Sequence, residues 1–408
     1  MKILFVTGLY PHESAEQLRE LSGNRLQNAA NTFQWSVVEG LMDNNYDFEV
    51  VSFPFLPSYP VRYSSPKTPD APIVCRDRQI GSMESYCAFV GYKDISIKRR
   101  LRSYVARWIN ANENHYSKLL ILIYTPHFVF VDAVKDAVKQ CCSSKVVIGS
   151  IVTDLVDNML DFASNRSPLK RLQCSIYRSK TVAAYRHIDK FVLLTKAMEE
   201  RISEAQGNNV VVEGLVKLAE LTTKDKHPVD EKIFLYTGAL DEFTCVKDLI
   251  EAFMLIKSPE YRLIICGAGV LDSYAEEMSK IDSRIEFRGV VPRDESLALQ
   301  REATCLVNPR KPNGDITKFS FPSKTMEYMS SGTPMIGYRL EGIPSEYYEY
   351  MYTPSDLTNE SLAKTMEYVA SVGQAALNDK AKAAYEFLAT NKTAKAQVRK
   401  MVELLERS

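Results

Sequence analysis

The sequence predicts an α/β protein made of two doubly wound domains, and three observations carry that expectation. Apolar runs of strand length, among them Ile3–Thr7, Leu119–Tyr124, Lys145–Val152, Ile233–Gly238 and Leu263–Cys266, alternate with helical patterns in both halves of the chain. A polar, charged stretch over 216–231 separates the two series. The 408 residues suffice for two domains that each bury a core. The expected division is 1–215, 216–375 and a set of terminal helices over 376–408.

Composition excludes several classes. Lys plus Arg is 51 and Asp plus Glu is 51, so no global field recruits nucleic acid. The eight cysteines are scattered without metal-ligand spacing and read as free thiols in a reducing cytoplasm. The apolar run at Met1–Gly8 is too short for a signal peptide, and no stretch approaches the ~20 apolar residues of a spanning helix. A cytoplasmic protein is expected.

In the first half, Gly8 follows the opening strand directly and lets a ligand or a helix approach the backbone. Asn24–Trp35 leads into Val37, Val38 and Leu41 at helical spacing, and Phe48–Phe53 is the next strand. Pro54, Pro57 and Pro60 then predict an irregular connection to about residue 80, of the kind that carries acceptor contacts. Residues 97–109 form a basic amphipathic helix. It either makes peripheral contact with an anionic membrane or packs its apolar stripe on the sheet and solvates its basic face. His127 and Asp154 fall beyond the carboxyl ends of two strands, where open sheets bind ligands. His127, neutral or easily protonated near pH 7, is either a sugar-hydroxyl or leaving-group contact or a satisfied loop histidine. Asp154 either orients a hydroxyl or caps the segment Val156–Phe162.

In the second half, Ile233–Gly238 ends on glycine, and Leu263–Cys266 runs into Gly267-Ala268-Gly269. A dinucleotide fingerprint needs a third glycine where Asp272 stands, which argues against NAD. Ile285–Pro292 is a further strand and turn, and Cys305–Pro309 ends at Arg310, either a bidentate phosphate clamp or a surface arginine. The densest signal is Phe321–Met329. Pro322 suits the first turn of a helix, with Ser320 able to cap the free amides. Those amides at Ser323 and the charge of Lys324 make a cradle for a diphosphate, and Glu327, one turn on, suits the vicinal hydroxyls of a ribose. The alternative is an ordinary helix start with a solvated glutamate.

The run Phe321-Pro322-Ser323-Lys324 with Glu327 and Gly332-Thr333-Pro334 resembles retaining glycosyltransferases of family 4, of the polysaccharide-building type. The first half is similar to them at Asn28–Gln34, Thr153-Asp154, Leu194-Thr195 with Met198, and Glu213-Gly214. The resemblance implies the GT-B fold, two Rossmann-like domains facing across a cleft, with the last helix crossing back to the first domain. It implies a hexosyl transfer with retention and no cofactor or metal, from a nucleoside-diphosphate sugar, UDP-sugar favoured, to a sugar or lipid-linked glycan acceptor. Donor contacts are expected at Gly8, Gly238, Gly267, Arg310, Ser323, Lys324 and Glu327 and, by the resemblance, at the backbone of Val290, and the catalytic set is His127, Asp154, Arg310 and Lys324. Three positions depart from the family pattern: Phe319 replaces its first glutamate, Ala239 its arginine and Thr244 its lysine. Neutralising a diphosphate needs replacements, and Lys324 and Arg310 are the candidates, ahead of Lys247, Lys311 and Lys318. The other expectations are a nucleotide-sugar 2-epimerase and a nucleotide-sugar-binding protein that has lost catalysis.

Overall fold

The structure is a computed structural model and describes residues 1–157, 168–218 and 231–407. It divides into two compact units, Met1–Leu215 with Ala394–Ser408, and Val216–Thr393. The tail of the Val156–Phe162 segment and most of the polar stretch over 216–231 lie outside the described residues.

In the first unit the strands are β1 (Lys2–Thr7), β2 (Phe48–Ser52), β3 (Ala71–Cys75), β4 (Arg78–Met83), β5 (Leu119–Tyr124), β6 (Val146–Val152), β7 (Lys190–Leu193) and β8 (Asn209–Val211). They form one sheet in the order β3-β4-β2-β1-β5-β6-β7-β8. β1 and β5 are apolar on both faces because helices cover both sides of a parallel sheet, and Phe5 lies in register with Val50 and Leu122. The helices are α1 (Ala15–Leu21), α2 (Asn28–Asp43), α3 (Lys93–Asn112), α4 (Phe128–Cys141) and α5 (Pro168–Tyr185).

One expectation needs correction here, and one pair of alternatives is narrowed. The stretch after Pro60 is not irregular throughout, since β3 and β4 pair antiparallel across Arg76 and Asp77, both with positive φ (50° and 61°). That turn normally advertises itself with Asn-Gly or Asp-Gly, and Arg-Asp hides it. The apolar stripe of residues 97–109 is not available to a membrane: Ile97, Leu101, Val105, Trp108 and Ile109 are buried in the protein. Lys98 on the same helix pairs with Asp136 at 3.0 Å, and Arg99, Arg100 and Arg102 form a solvated basic face. No helix among the described residues is long and apolar enough to cross a membrane.

The second unit holds a smaller parallel sheet of β9 (Lys232–Thr237), β10 (Tyr261–Cys266), β11 (Ile285–Gly289), β12 (Cys305–Asn308) and β13 (Met335–Gly337), in the order β11-β10-β9-β12-β13. Around it lie α6 (Val246–Leu255), α7 (Asp272–Ile281), α8 (Arg293–Glu302), α9 (Gly314–Lys318), α10 (Ser323–Met329), α11 (Asn359–Ser371) and α12 (Gln374–Asn391). This unit runs past residue 375, because Leu377, Ala384 and Leu388 of α12 join its core and Phe387 packs on Tyr347 and Tyr350.

Only the last helix, α13 (Ala394–Glu406), belongs to the first unit, where Val398, Met401, Val402 and Leu405 enter the core. Gly40 of α2 makes this docking feasible: a Cβ there would sit 2.5 Å from the carbonyl oxygen of Ala394. Gly40→Val is therefore expected to destabilise the first unit by about 1–3 kcal/mol through overpacking. Urea unfolding followed by circular dichroism measures this, and an unchanged midpoint would show that α13 is not held so closely.

Candidate functional site

In both sheets the chain starts centrally, builds outward on one side and then returns to the other side. The order reverses between β9 and β12 in the second unit and between β1 and β5 in the first. Ligands of doubly wound folds bind beyond the carboxyl ends of the strands at such reversals.

At the second unit's reversal, β9 delivers Thr237 and Gly238 while β12 delivers Pro309 and Arg310. Gly238 has φ +152°, and a Cβ on it would fall 1.8 Å from the Lys324 Nζ, so the lysine ammonium rests against bare backbone. That ammonium also lies 5.5 Å from the centre of the Tyr236 ring. Tyr236 is fixed from its other end, its hydroxyl donating to the carbonyl of Ala239 at 2.7 Å. Burial holds Lys324 below the usual lysine range, against the opposing charges of Glu327 and Asp241. Arg310 is likewise depressed by burial, with Asp241, Cys245 and Tyr236 acting the other way, and its Nε is buried without a hydrogen-bond partner. Neither cation has an ion-pair or hydrogen-bond partner among the described residues.

Asp241, whose charge reaches both, forms no ion pair with either among the described residues and is held by Thr244 instead. Its carboxylate accepts from the Thr244 amide at 2.9 Å, and the Thr244 hydroxyl closes the capping box ahead of α6. Thr244, at the position where the resemblance calls for lysine, thus holds an acid in place instead. Gly267 and Gly269 serve packing: Cβ atoms there would meet the carbonyl oxygens of Gly238 at 1.7 Å and Leu240 at 2.2 Å. The loop after β9 thus packs directly on Gly267, the tight turn that a glycine there permits.

The helix start also differs from expectation. Pro322 is the N-cap of α10, not a first-turn residue, and no side chain caps the helix. Ser320 is turned away, donating its hydroxyl to the carbonyl of Ile316. The helix has only seven residues, so the two side-chain cations outweigh its dipole as the source of positive potential. Ser323 is exposed at its first turn, and Glu327 is partly exposed one turn on. Glu327 accepts from the Gln300 Nε2 at 2.8 Å. Val290, beyond β11, is 76% exposed. Phe319 is 3% exposed, so no acid stands at its position.

At the first unit's reversal, α2 reaches over the end of β1. Gln34 accepts from the Gly8 amide at 2.8 Å and also from the Thr7 hydroxyl, and Asn31 accepts from the Tyr10 amide at 2.9 Å. The space in front of Gly8 is not open: a Cβ there would lie 2.3 Å from the Phe55 ring, so the close approach that glycine permits is made by the protein's own aromatic. Phe55 stacks on Phe130 at 5.7 Å between ring centres, and His127 lies among Phe128, Phe130 and Tyr177. His127 is the N-cap of α4, its Nδ1 accepting from the Val129 amide at 3.3 Å. Burial pushes its imidazole down to about 4, opposed by Asp94 and reinforced by Lys93, so of the two forms expected near pH 7 it holds the neutral one. Asp154 is exposed after β6. The partly buried rings Phe33, Phe55 and Tyr177 left no periodic signal in the sequence, because they come together only through tertiary packing.

Residues 231–372 match the family model described as Glycosyl transferases group 1. No curated protein sequence matches the chain. Among solved structures, the apo form of the lipopolysaccharide outer core galactosyltransferase WaaB superposes with a TM-score of 0.57 at 15% identity, covering 100% of this chain and 99% of that one. Sucrose-phosphate synthase from Thermosynechococcus elongatus gives 0.57 at 15% identity, over 100% and 99%. HepE from Anabaena, in complex with UDP and glucose, gives 0.54 at 12% identity, over 100% of both chains. The fold is GT-B. Its two Rossmann-like domains correspond to the two sheets described above, and the group 1 match lies entirely in the second unit.

The His127 environment in this GT-B chain has a measurable consequence. Its folded pKa of about 4 lies below the unfolded value of 6.5, so the unfolded chain binds the extra proton between those values. This contribution to stability is whole above about pH 6.5 and is lost as pH falls towards 4, by an amount on the order of 3 kcal/mol at most. Imidazole resonances followed by NMR titration should place the His127 midpoint near 4, and a midpoint of 6 or above would contradict the buried, neutral N-cap.

Proposed function

We propose that the chain is a glycosyltransferase of the hexosyl type. It takes its sugar from a nucleoside-diphosphate donor, UDP-sugar in first place, and transfers it with retention and without a metal to a hydroxyl of a sugar or lipid-linked glycan. The acceptor assignment places it in polysaccharide or glycolipid assembly. The single observation that carries this reading is the pair of half-buried cations, Lys324 and Arg310, left without an anion at the reversal point of the second sheet. Burying a charge without a partner is costly, so such a pair is retained where an anionic ligand completes it. A diphosphate supplies two adjacent charged groups, and the guanidinium suits bidentate contact while the ammonium acts as a point charge.

In the reaction, the bond from the anomeric carbon to the diphosphate oxygen breaks and a bond from that carbon to the acceptor oxygen forms. Charge accumulates on the departing diphosphate, which Lys324, Arg310 and the Ser323 amide would stabilise. The acceptor's proton passes to the leaving phosphate. His127, neutral at working pH, would contribute a hydrogen bond and not a charge. Glu327 would take the ribose hydroxyls, and the backbone beside Val290 the base.

Phe319 supports the reading of a binding protein without turnover, because the acid that touches the donor sugar in the resembling family is absent. Incubation with UDP- and GDP-sugars and a panel of acceptors separates the possibilities. Product is expected only when acceptor is present; turnover of donor alone would indicate an epimerase, and binding without product a lost activity. Lys324→Ala and Arg310→Ala are each expected to weaken binding of the preferred nucleoside diphosphate by about 1.5–3 kcal/mol, roughly 10–100-fold, by calorimetry. Unchanged affinity in both would overturn the assignment.

A further inference from the structure

Gln300 lies on α8, outside the motifs of the site, and is completely buried. Its side-chain amide makes two donations. One goes to Oε1 of Glu327 at 2.8 Å and the other to the Thr237 hydroxyl at 3.2 Å. Its own Oε1 is buried and has no partner. A buried amide that leaves its acceptor unsatisfied while both hydrogens are used is held for those hydrogens, since packing alone would be served better by an apolar side chain.

The backbone of Gln300 and its partner Thr237 are held in turn. The backbone carbonyl of Gln300 accepts from the Thr333 hydroxyl at 2.7 Å, which ties α8 to the Gly-Thr-Pro turn after α10. Thr237 is itself held by Tyr328, whose hydroxyl accepts from the Thr237 amide at 2.9 Å. One side chain therefore bridges the carboxylate of α10 and the last residue of β9, immediately before the glycine against which Lys324 rests. Glu327 has one oxygen committed to Gln300, and its other oxygen has no partner among the described residues.

We infer that Gln300 is a positioning residue. By holding Glu327 Oε1, and being held in turn by Thr237, it aims the remaining carboxylate oxygen at the vicinal hydroxyls of the donor's ribose and so makes the site select ribonucleotides over 2′-deoxyribonucleotides. This rests on the reading of the site as a nucleoside-diphosphate site. A carboxylate free to rotate can follow either sugar, whereas one locked by a buried amide rewards only the sugar that presents the second hydroxyl.

The test compares the better bound of UDP and GDP with its 2′-deoxy analogue by calorimetry, in the wild type and in two variants. Gln300→Met keeps the length and removes both donors; Gln300→Asn keeps the amide but withdraws it from Glu327. The wild type should prefer the ribonucleotide by about tenfold, and both variants should reduce that preference to under about threefold, with urea midpoints identifying any variant that does not fold. A folded variant that keeps the full preference overturns the inference, as does a wild type that binds both nucleotides equally. A wild type that binds neither UDP nor GDP overturns the underlying assignment instead.

Discussion

The second unit depends on keeping two positive charges partly out of water without giving either an anion. Lys324 and Arg310 are both depressed in pKa by burial, and the one acid whose charge reaches both is engaged elsewhere, in the capping box with Thr244. Were Asp241 free to swing onto either cation, the site would neutralise itself. An exposed ion pair of that sort is worth little to stability, but a buried one would compete directly with a ligand. The fold instead carries the desolvation cost at this point and sets a bare glycine and an aromatic ring around the lysine.

That arrangement explains why the backbone is so specialised at the end of β9. Gly238 leaves room for the Lys324 ammonium, Gly267 leaves room for the Gly238 carbonyl, and Gly269 leaves room for the Leu240 carbonyl. Three glycines thus draw two loops together so that a lysine from a third element can lie flat on the first. Tyr236 and Tyr328, both buried, pin the strand end by hydrogen bonds to Ala239 and Thr237. The first unit treats its equivalent point differently. There Gln34 and Asn31 hold the loop after β1, Phe55 covers Gly8, and the outlook is aromatic with a neutral histidine. Such a surface suits uncharged rings, and the second unit's suits an anion.

Much of this was legible in the sequence where the signal is local. The parallel strands β1, β5, β9 and β10 show as continuous apolar runs because both faces are covered, and Arg310 and Lys324 stand out as cations directly after a strand and at a helix start. What escaped depends on residues distant in the chain. Gln300 meets Glu327 across 27 residues and Thr237 across 63, and neither spacing leaves a pattern that periodicity can find. The β3–β4 hairpin is hidden by a turn of Arg76-Asp77, and of the two alternatives for the apolar stripe of residues 97–109 the structure shows packing within the protein, a choice the sequence leaves open because an amphipathic stripe looks the same whether protein or lipid covers it. A glycine after a strand announces a close approach but not what approaches, and at Gly8 the Phe55 ring is what lies there.

The most direct measurement is a crystal structure of the protein with UDP or GDP bound. The account requires the two phosphates to lie beyond the ends of β9 and β12, in hydrogen-bond contact with the Lys324 ammonium and the Arg310 guanidinium. Phosphates bound elsewhere on the second unit, with both cations still unpaired, would contradict it.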